Sequence, residues 1–403
     1  MNRGAWHQFG DRSQRLAEEQ LAQGSGVGVV MSPRDLAYDN AVNYATRYHE
    51  LGAEVLIDQQ FYVPHFTNAR LDSYPVSQYR TTVSELCNIT DSDLAGLARA
   101  LSAVHRRLGA DALIAPAVPY EAGRPDLTDL NARLFATARR AGDDAGIPTY
   151  ATVMLGRSVS SSEQTMFSAL SHATSLESDG WYYSFEFDVE RIPSSEAAVL
   201  RCCLGGLTLS CTGRPVLHAY AGPMALLSLG FGATGTGVGH FQNLWRFDPG
   251  RWQPSHEGDQ GGGGEAPARF FSSKLWGTIV YPDELTQLPR DLQDQVSTSS
   301  PFCSPVISTP RRSWPRWDAN RHLVYVICST IGHMALERDP RRNAETAMEI
   351  LEGAVSLHRA IAGMSLDLRD NTNVYQESWL GALGQLCAQH SSDFEYLELL
   401  MGS

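Results

Sequence analysis

Short apolar runs alternate with amphipathic stretches from residue 26 to about 240. "GVGVVMSP" (26–33) is apolar and ends in a turn, the pattern of a buried strand. Residues 34–52 read as a helix stopped at Gly52. "AEVLID" (53–58) is the next strand, and it stops abruptly on an acid followed by Gln59, Gln60 and Tyr62. "DSDLAGLARALSAVHRRLG" (91–109) carries apolar residues at helical spacing, an acidic or hydroxyl cap and a terminal glycine. Four further strands are expected at 110–120, 147–155, 180–189 and 214–222, with helices at 127–146 and 194–211. A short helix at 223–230 leads to a glycine-rich strand or strand exit at 232–239.

Alternation of this kind implies parallel strands joined by crossover helices. The pattern yields seven strands, one short of a closed eight-stranded barrel. The preferred reading is an α/β fold, a (β/α)8-type TIM barrel with one degenerate or misread strand and a C-terminal helical extension. The competitor, a doubly wound open sheet, would want G-x-G-x-x-G directly after its first strand, whereas "GSGVGVVM" has glycines before it. The opening "MNRGAWHQFGDRSQRLAEEQ" reads as polar and helix-like, without the apolar core of a signal peptide. Beyond residue 240 the alternation breaks. The expected layout is a barrel over 1–250, an irregular, loop-rich insertion over 251–318 and a helical region over 319–403. Within the insertion, 255–267 is a glycine-rich loop by composition and 297–317 is rich in Ser and Pro.

Composition narrows the function classes. A net charge of −13 over 403 residues argues against tight non-specific nucleic-acid binding, which needs Lys and Arg against phosphates, but leaves room for a local basic patch. No apolar run is long enough to span a membrane. The seven cysteines are scattered without C-x-x-C spacing, as expected of reduced, buried thiols in a cytoplasmic protein.

In a parallel barrel, chemistry gathers where strands end at the C-terminal mouth. Ser32, Pro33, Arg34 and Asp35 follow the first strand read here. Asp58, Gln59 and Gln60 follow the second. Tyr120 and Glu121 close the "PAVPY" exit. Glu186 and Asp188 share one face of their strand by period-two alternation, and paired carboxylates suit acid/base work, a metal, or simply a solvated edge. His218 and Tyr220 lie on "VLHAYAG", where His218 is either catalytic or a satisfied core histidine. Gly235 and Gly237, with Gly230, Gly232 and Gly239 around them, either let backbone N–H groups approach a phosphate or permit tight packing. His240, Gln242, Asn243 and Arg246 follow. "NLWRFDPGRW" (243–252) and "ARFFSSKLWG" (268–277) interleave Arg or Lys with aromatic rings, suited to stacking bases or to packing a subdomain onto the barrel.

The order of these parts resembles the tRNA-guanine transglycosylase superfamily, including its deazapurine-inserting DNA enzymes. "VLIDQQFY" is placed like that family's strand ending in Asp-Ser-Gly-Gly-Phe, with Asp58 and Phe61 as the matching residues. "VLHAYAGPMALLSLGFGATGTG" is similar to its late strand, short helix and final strand. "NLWRF", "ARFF" and 320–361 are similar in placement to its Arg-containing loop, Arg-Tyr segment and C-terminal helices. The resemblance implies a modified (β/α)8 barrel that exchanges a base at a nucleoside. Asp58 would be general base or nucleophile, and Glu186 or Asp188 the second carboxylate. Gln59, Gln60, Tyr120, His218, Asn243 and Arg246 would contact the nucleobase or nucleoside, and Gly235–Gly239 would offer backbone donors. Two family features are not matched. "GATGTGVGH" carries no nucleophilic acid, and only Cys303, followed later by His322, stands where a Cys-x-Cys-x-x-Cys zinc group would be. No cofactor is therefore expected. Two other readings remain open: a barrel that has lost catalysis and serves as a binding or complex subunit, and a flavin- or phosphate-binding barrel enzyme.

Overall fold

A computed structural model describes the whole chain except residues 189–191, 253–266, 304–313, 365, 367, 369–373 and 403. Most of the expected glycine-rich loop, half of the Ser/Pro-rich stretch and Val189 thus lie outside the described residues.

Eight parallel strands form the centre: β1 (Gly4–Gln8), β2 (Gly28–Met31), β3 (Glu54–Ile57), β4 (Leu113–Ile114), β5 (Thr149–Leu155), β6 (Gly180–Phe185), β7 (Val216–His218) and β8 (Gly235–Val238). Their order is β3-β2-β1-β8-β7-β6-β5-β4. The seam between β3 and β4 is bridged by Asp111, whose amide donates to the Val55 carbonyl at 3.0 Å. Its carboxylate in turn accepts from the Val55 amide at 2.6 Å. The sheet therefore comes round on itself as a (β/α)8-type barrel.

The strand missing from the sequence reading is β1. Residues 4–8 were expected to belong to a polar helix. Instead they pair in parallel with both β2 and β8, and the first helix begins only at Ser13. "GAWHQ" escapes a hydropathy pattern because two of its inward positions hold Trp6 and Gln8, one bulky and one polar. Trp6 fills the bottom of the barrel with Val30, Leu56, Ile114, Tyr150, Tyr182 and Leu217, all fully or almost fully buried. Room for it comes from glycines on both flanking strands. A Cβ at Gly28 would lie 2.5 Å from the Trp6 ring, and one at Gly235 would lie 2.7 Å from its Nε1.

Outside the barrel the helices follow the expected spacing. The helix Asp91–Leu108 is capped by Thr90, whose hydroxyl accepts from the Asp93 amide, and it ends on Gly109 at φ 62°. Pro125 opens the helix Pro125–Ala145, which ends on Gly146 at φ 73°. These helices bury their apolar faces against the outer side of the strands.

The segment 251–318 is less irregular than its composition suggested. It contains an antiparallel hairpin, β9 (Ala268–Ser272) and β10 (Gly277–Tyr281), and the helix Arg290–Val296. Phe270, Leu275, Ile279, Tyr281 and Trp314 give it a separate small core. The C-terminal region is helical as expected, over Arg316–Met334, Pro340–Ala362, Val374–Gln389 and Ser391–Gly402. Polar side chains tie it to the rest: Tyr375 donates to the Trp276 carbonyl at 2.6 Å, and Trp379 donates to the Pro193 carbonyl at 2.7 Å. Among the described residues no helix is long and apolar enough to cross a membrane.

Candidate functional site

Asp58 stands one residue beyond β3, in phase with the inward-facing Leu56, so its carboxylate points into the upper barrel. It is 1% exposed. Four donors reach it. Oδ1 accepts from the Gln60 amide at 2.9 Å and from the Tyr62 hydroxyl at 2.8 Å. Oδ2 accepts from the Tyr220 hydroxyl at 2.7 Å and from the Tyr182 hydroxyl at 3.1 Å. Tyr182 also reaches Gln8 Oε1 at 3.3 Å. Burial raises the Asp58 pKa above the ordinary carboxylate value, and the bonds from Tyr220, Tyr62, the Gln60 amide and Tyr182 oppose that rise. Burial, and then the charge of Asp58, hold the three tyrosines well above their usual value, so they remain donors.

Two of the residues around Asp58 have left-handed backbones without being glycine: Gln60 at φ 54° and Tyr220 at φ 55°. Such conformations are costly and persist where the surroundings fix them. Arg80 fixes the first. Its guanidinium donates to the carbonyls of Gln59 at 3.0 Å and Gln60 at 2.8 Å, and lies 4.8 Å from the Phe61 ring centre. Burial pulls the Arg80 pKa down to about 10 while Asp58 opposes the fall, so it stays charged at neutral pH. The Gln60 side chain accepts from the Ser32 hydroxyl at 3.1 Å and the Arg34 amide at 3.3 Å.

The mouth is roofed by the chain after β8. Leu244, Phe247 and Trp252 belong to the same buried cluster as the barrel interior. Trp252 meets Tyr62 edge-on at 5.1 Å and Tyr220 at 6.1 Å. The roof is fastened by Arg251, whose Nη2 lies 2.6 Å from Asp35 Oδ2, with both side chains almost fully buried. Asp35 also accepts from the Ser32 hydroxyl at 2.7 Å.

The other expected site residues fall elsewhere. β6 ends at Phe185, so Glu186 and Asp188 do not continue it; Glu186 makes only an isolated bridge to Phe247. Both acids face Arg157, whose backbone amide donates to Glu186 at 3.0 Å and whose guanidinium lies 3.0 Å from Asp188. Burial raises the Glu186 pKa, opposed by Arg157. No described contact joins either acid to Asp58. His218 points away from the barrel axis, towards the helix Glu196–Ser210. Its Nδ1 is 2.8 Å from the Ser228 hydroxyl, it packs between Tyr183 and Phe231, and burial lowers its pKa to about 3.

Gly235 and Gly237 sit inside β8, not in an open loop, and a Cβ on Gly237 would lie 2.8 Å from Gln8 Oε1. Their lack of side chains accommodates Trp6 and Gln8. Tyr120 is buried beyond β4 and bridges Leu155. Gln59 is buried, with neither side-chain polar atom hydrogen-bonded. Asn243 is exposed on the roof, and Arg246 holds Asp248 at 3.0 Å. Cys303 and His322 share the small core of the hairpin. His322 bonds the Ser300 hydroxyl and the Phe271 carbonyl, both at 2.8 Å. Among the described residues no group of three or more His, Cys, Asp or Glu is arranged to hold a metal.

Sequence reasoning reached Asp58, Gln59, Gln60 and Tyr220, and singled out the segment 243–252 that holds Arg251 and Trp252, but not Tyr182, Gln8 and Arg80. Alternation along "GWYYSF" held a usable signal for Tyr182: Trp181, Tyr183 and Phe185 face the helices, which turns Tyr182 inward. Arg80 follows a short 3-10 helix, Pro75–Tyr79, and has no periodic signature.

No protein-family model matches the chain, and no curated protein matches it. Among solved structures, a probable tagatose 6 phosphate kinase from Sinorhizobium meliloti 1021 aligns over 98% of this chain and 100% of its own, at 12% identity and a TM-score of 0.38. At that score the likeness bears on neither fold nor activity.

Proposed function

We propose that the protein is a transglycosylase-like barrel that takes a nucleobase or nucleoside at Asp58. The observation carrying this reading is the buried Asp58 carboxylate, at a strand exit in the barrel mouth, between two strained residues and under an aromatic roof. Purine-type bases present N–H donors and a flat face. An N–H can replace one tyrosine hydroxyl on Asp58, and Tyr62, Phe247 and Trp252 supply ring surfaces for stacking. A carboxylate with a raised pKa is poised to take a proton from the base or to attack the anomeric carbon. The placement of Asp58 at a strand exit, like the superfamily's Asp, supports the same assignment, although Phe61 follows Asp58 one residue sooner than in Asp-Ser-Gly-Gly-Phe. Entry of a ligand requires the roof over residues 244–252 to move.

The test is incorporation of labelled guanine or a 7-deazaguanine into tRNA or duplex DNA. Wild-type protein is expected to exchange the base, and Asp58→Asn to lose exchange while keeping its far-ultraviolet circular dichroism. Full activity in Asp58→Asn would overturn the assignment. A second reading, a barrel that binds without catalysing, is favoured by one specific fact: both oxygens of Asp58 already carry two donors each. Calorimetric binding of the base by wild type without any exchange would select it.

A further inference from the structure

Above the seam between β3 and β4 a cavity of about 540 Å³ opens at the barrel mouth, within the size range of small-molecule sites. Tyr62 lines it, and so does Pro249 of the roof. The short helix Val83–Cys87 and the start of the helix Pro125–Ala145 wall its outer side, contributing Ser84 and Leu127. Tyr62 thus belongs both to this cavity and to the Asp58 cage, where its hydroxyl donates to Oδ1 at 2.8 Å.

The three tyrosines on Asp58 are not equivalent. Tyr182 lies within β6 and is shared with Gln8. Tyr220 is held by its left-handed backbone and packs on Phe247 and Trp252. Neither lines this cavity. Tyr62 comes from the chain after β3, and its flanking backbone is pinned. Arg80 donates to the carbonyls of Gln59 and Gln60 on one side and of Val63, at 3.3 Å, on the other. The side chain is therefore the part that moves alone. When it turns aside, Oδ1 keeps the Gln60 amide and regains an acceptor position for an N–H arriving from the cavity. The Tyr62 ring meets Phe247 and Trp252 edge-on at 5.0 and 5.1 Å, so a flat ring taking its place inherits both aromatic contacts.

Charge narrows the ligand. Among the described residues lining the cavity, Arg124 is the single cation, and its Nε and Nη2 already bond the Asp126 carboxylate at 2.9 and 2.6 Å. Glu121 then gives the wall a net negative charge. A phosphate would meet a carboxylate there and no spare cation, whereas a neutral ring is not repelled. We infer that a neutral heterocyclic base binds in this cavity and replaces the Tyr62 hydroxyl on Asp58 Oδ1, while Tyr182 and Tyr220 keep their bonds to Oδ2. The inference rests on the reading of Asp58 as the ligand's anchor, and adds which donor yields, from which side, and to a ligand of which charge.

Calorimetry of the full-length chain with 7-deazaguanine and with guanosine monophosphate tests it. The base should bind saturably and the monophosphate about tenfold more weakly. Tyr62→Phe keeps the ring and removes the competing donor, so it should tighten base binding about three- to tenfold, the worth of one net hydrogen bond. Tyr182→Phe and Tyr220→Phe should not tighten it. Ser84→Trp, at an exposed position on the rim, should fill the cavity and weaken binding about tenfold. Bound base should also slow alkylation of Cys87, which lines the cavity, by N-ethylmaleimide, as read by peptide mass spectrometry. Unchanged or weaker binding in folded Tyr62→Phe, wild-type affinity in folded Ser84→Trp, or tighter binding of the monophosphate would overturn this route. If Asp58→Asn still abolished binding in that case, Asp58 would stand as the anchor. Absence of saturable base binding by wild type would overturn both.

Discussion

Tyr220 donates its hydroxyl to Asp58 across 2.7 Å from a backbone at φ 55°, a conformation that non-glycine residues rarely adopt. The strain is retained because the ring is wedged between Phe247, Trp252 and the carboxylate. Tyr220→Phe keeps the ring and removes the bond, so it should cost about 1–3 kcal/mol in urea unfolding. It should also raise the Asp58 pKa further.

That pKa has a sign worth measuring. The folded value lies above the ordinary 3.8 because of burial. Between the unfolded and folded values the folded chain binds more protons, so this contribution to stability is present at low pH and is lost as pH rises through the folded pKa. Asp58→Asn lacks the titration. The stability of wild type relative to Asp58→Asn should therefore decline from pH 4 upward until the folded pKa is passed. A constant difference across that range would contradict the raised value.

Buried histidines act in the opposite direction and in greater number. Burial lowers His7, His105, His240, His322 and His358 to about 4, and His218 to about 3. Each is depressed below its ordinary 6.5, so its stabilising contribution is present above that value and is lost as pH falls towards 4. All six shifts act in the same direction, so their destabilising effects reinforce one another as the pH falls. The protein should unfold cooperatively between about pH 6 and 4, with several protons taken up. Undiminished urea stability at pH 5 would contradict this.

Six of the eight barrel strands were legible as apolar runs, which is all a doubly covered parallel strand needs, and β8 as a glycine-rich segment. β1 was not, because its inward positions are Trp6 and Gln8 and its fit depends on Gly28 and Gly235 on neighbouring strands. The same physics limited the site. Asp58 announces itself as an acid ending an apolar run. Its cage does not, since Tyr62, Tyr182 and Tyr220 come from three separate segments of the chain and read locally as ordinary aromatics. The glycines of 230–239 advertised backbone access, but at Gly235 and Gly237 the space is filled by Trp6 and Gln8.

The Arg251–Asp35 pair fastens the roof with little solvent to screen it. Asp35→Asn leaves the Arg251 guanidinium buried without its counter-charge, and Arg251 Nε and Nη1 already lack partners. The expected cost is about 3–5 kcal/mol. Adding Arg251→Met should recover part of that loss, because an apolar side chain of similar length can lie against Trp252 without a buried charge. A double-mutant cycle in urea measures the coupling, and simple additivity would show that the pair does not hold the roof.

Trp6 permits the sharpest test of how the barrel closes. Its ring occupies the space a Cβ would need on both neighbouring strands, 2.5 Å from the position at Gly28 and 2.7 Å from that at Gly235. Gly28→Ala should therefore cost about 1–3 kcal/mol by overpacking. Trp6→Ala should cost about 3–5 kcal/mol through the cavity it leaves. The two effects share one space, so they cannot add. In a Trp6→Leu background the smaller side chain gives the new methyl room on that side, so part of the Gly28→Ala penalty should go, the rest persisting because the same Cβ lies 2.7 Å from the Glu54 carbonyl oxygen. Equal penalties for Gly28→Ala in both backgrounds would mean that the glycine is kept for the Glu54 carbonyl of the neighbouring strand and not for the ring of Trp6.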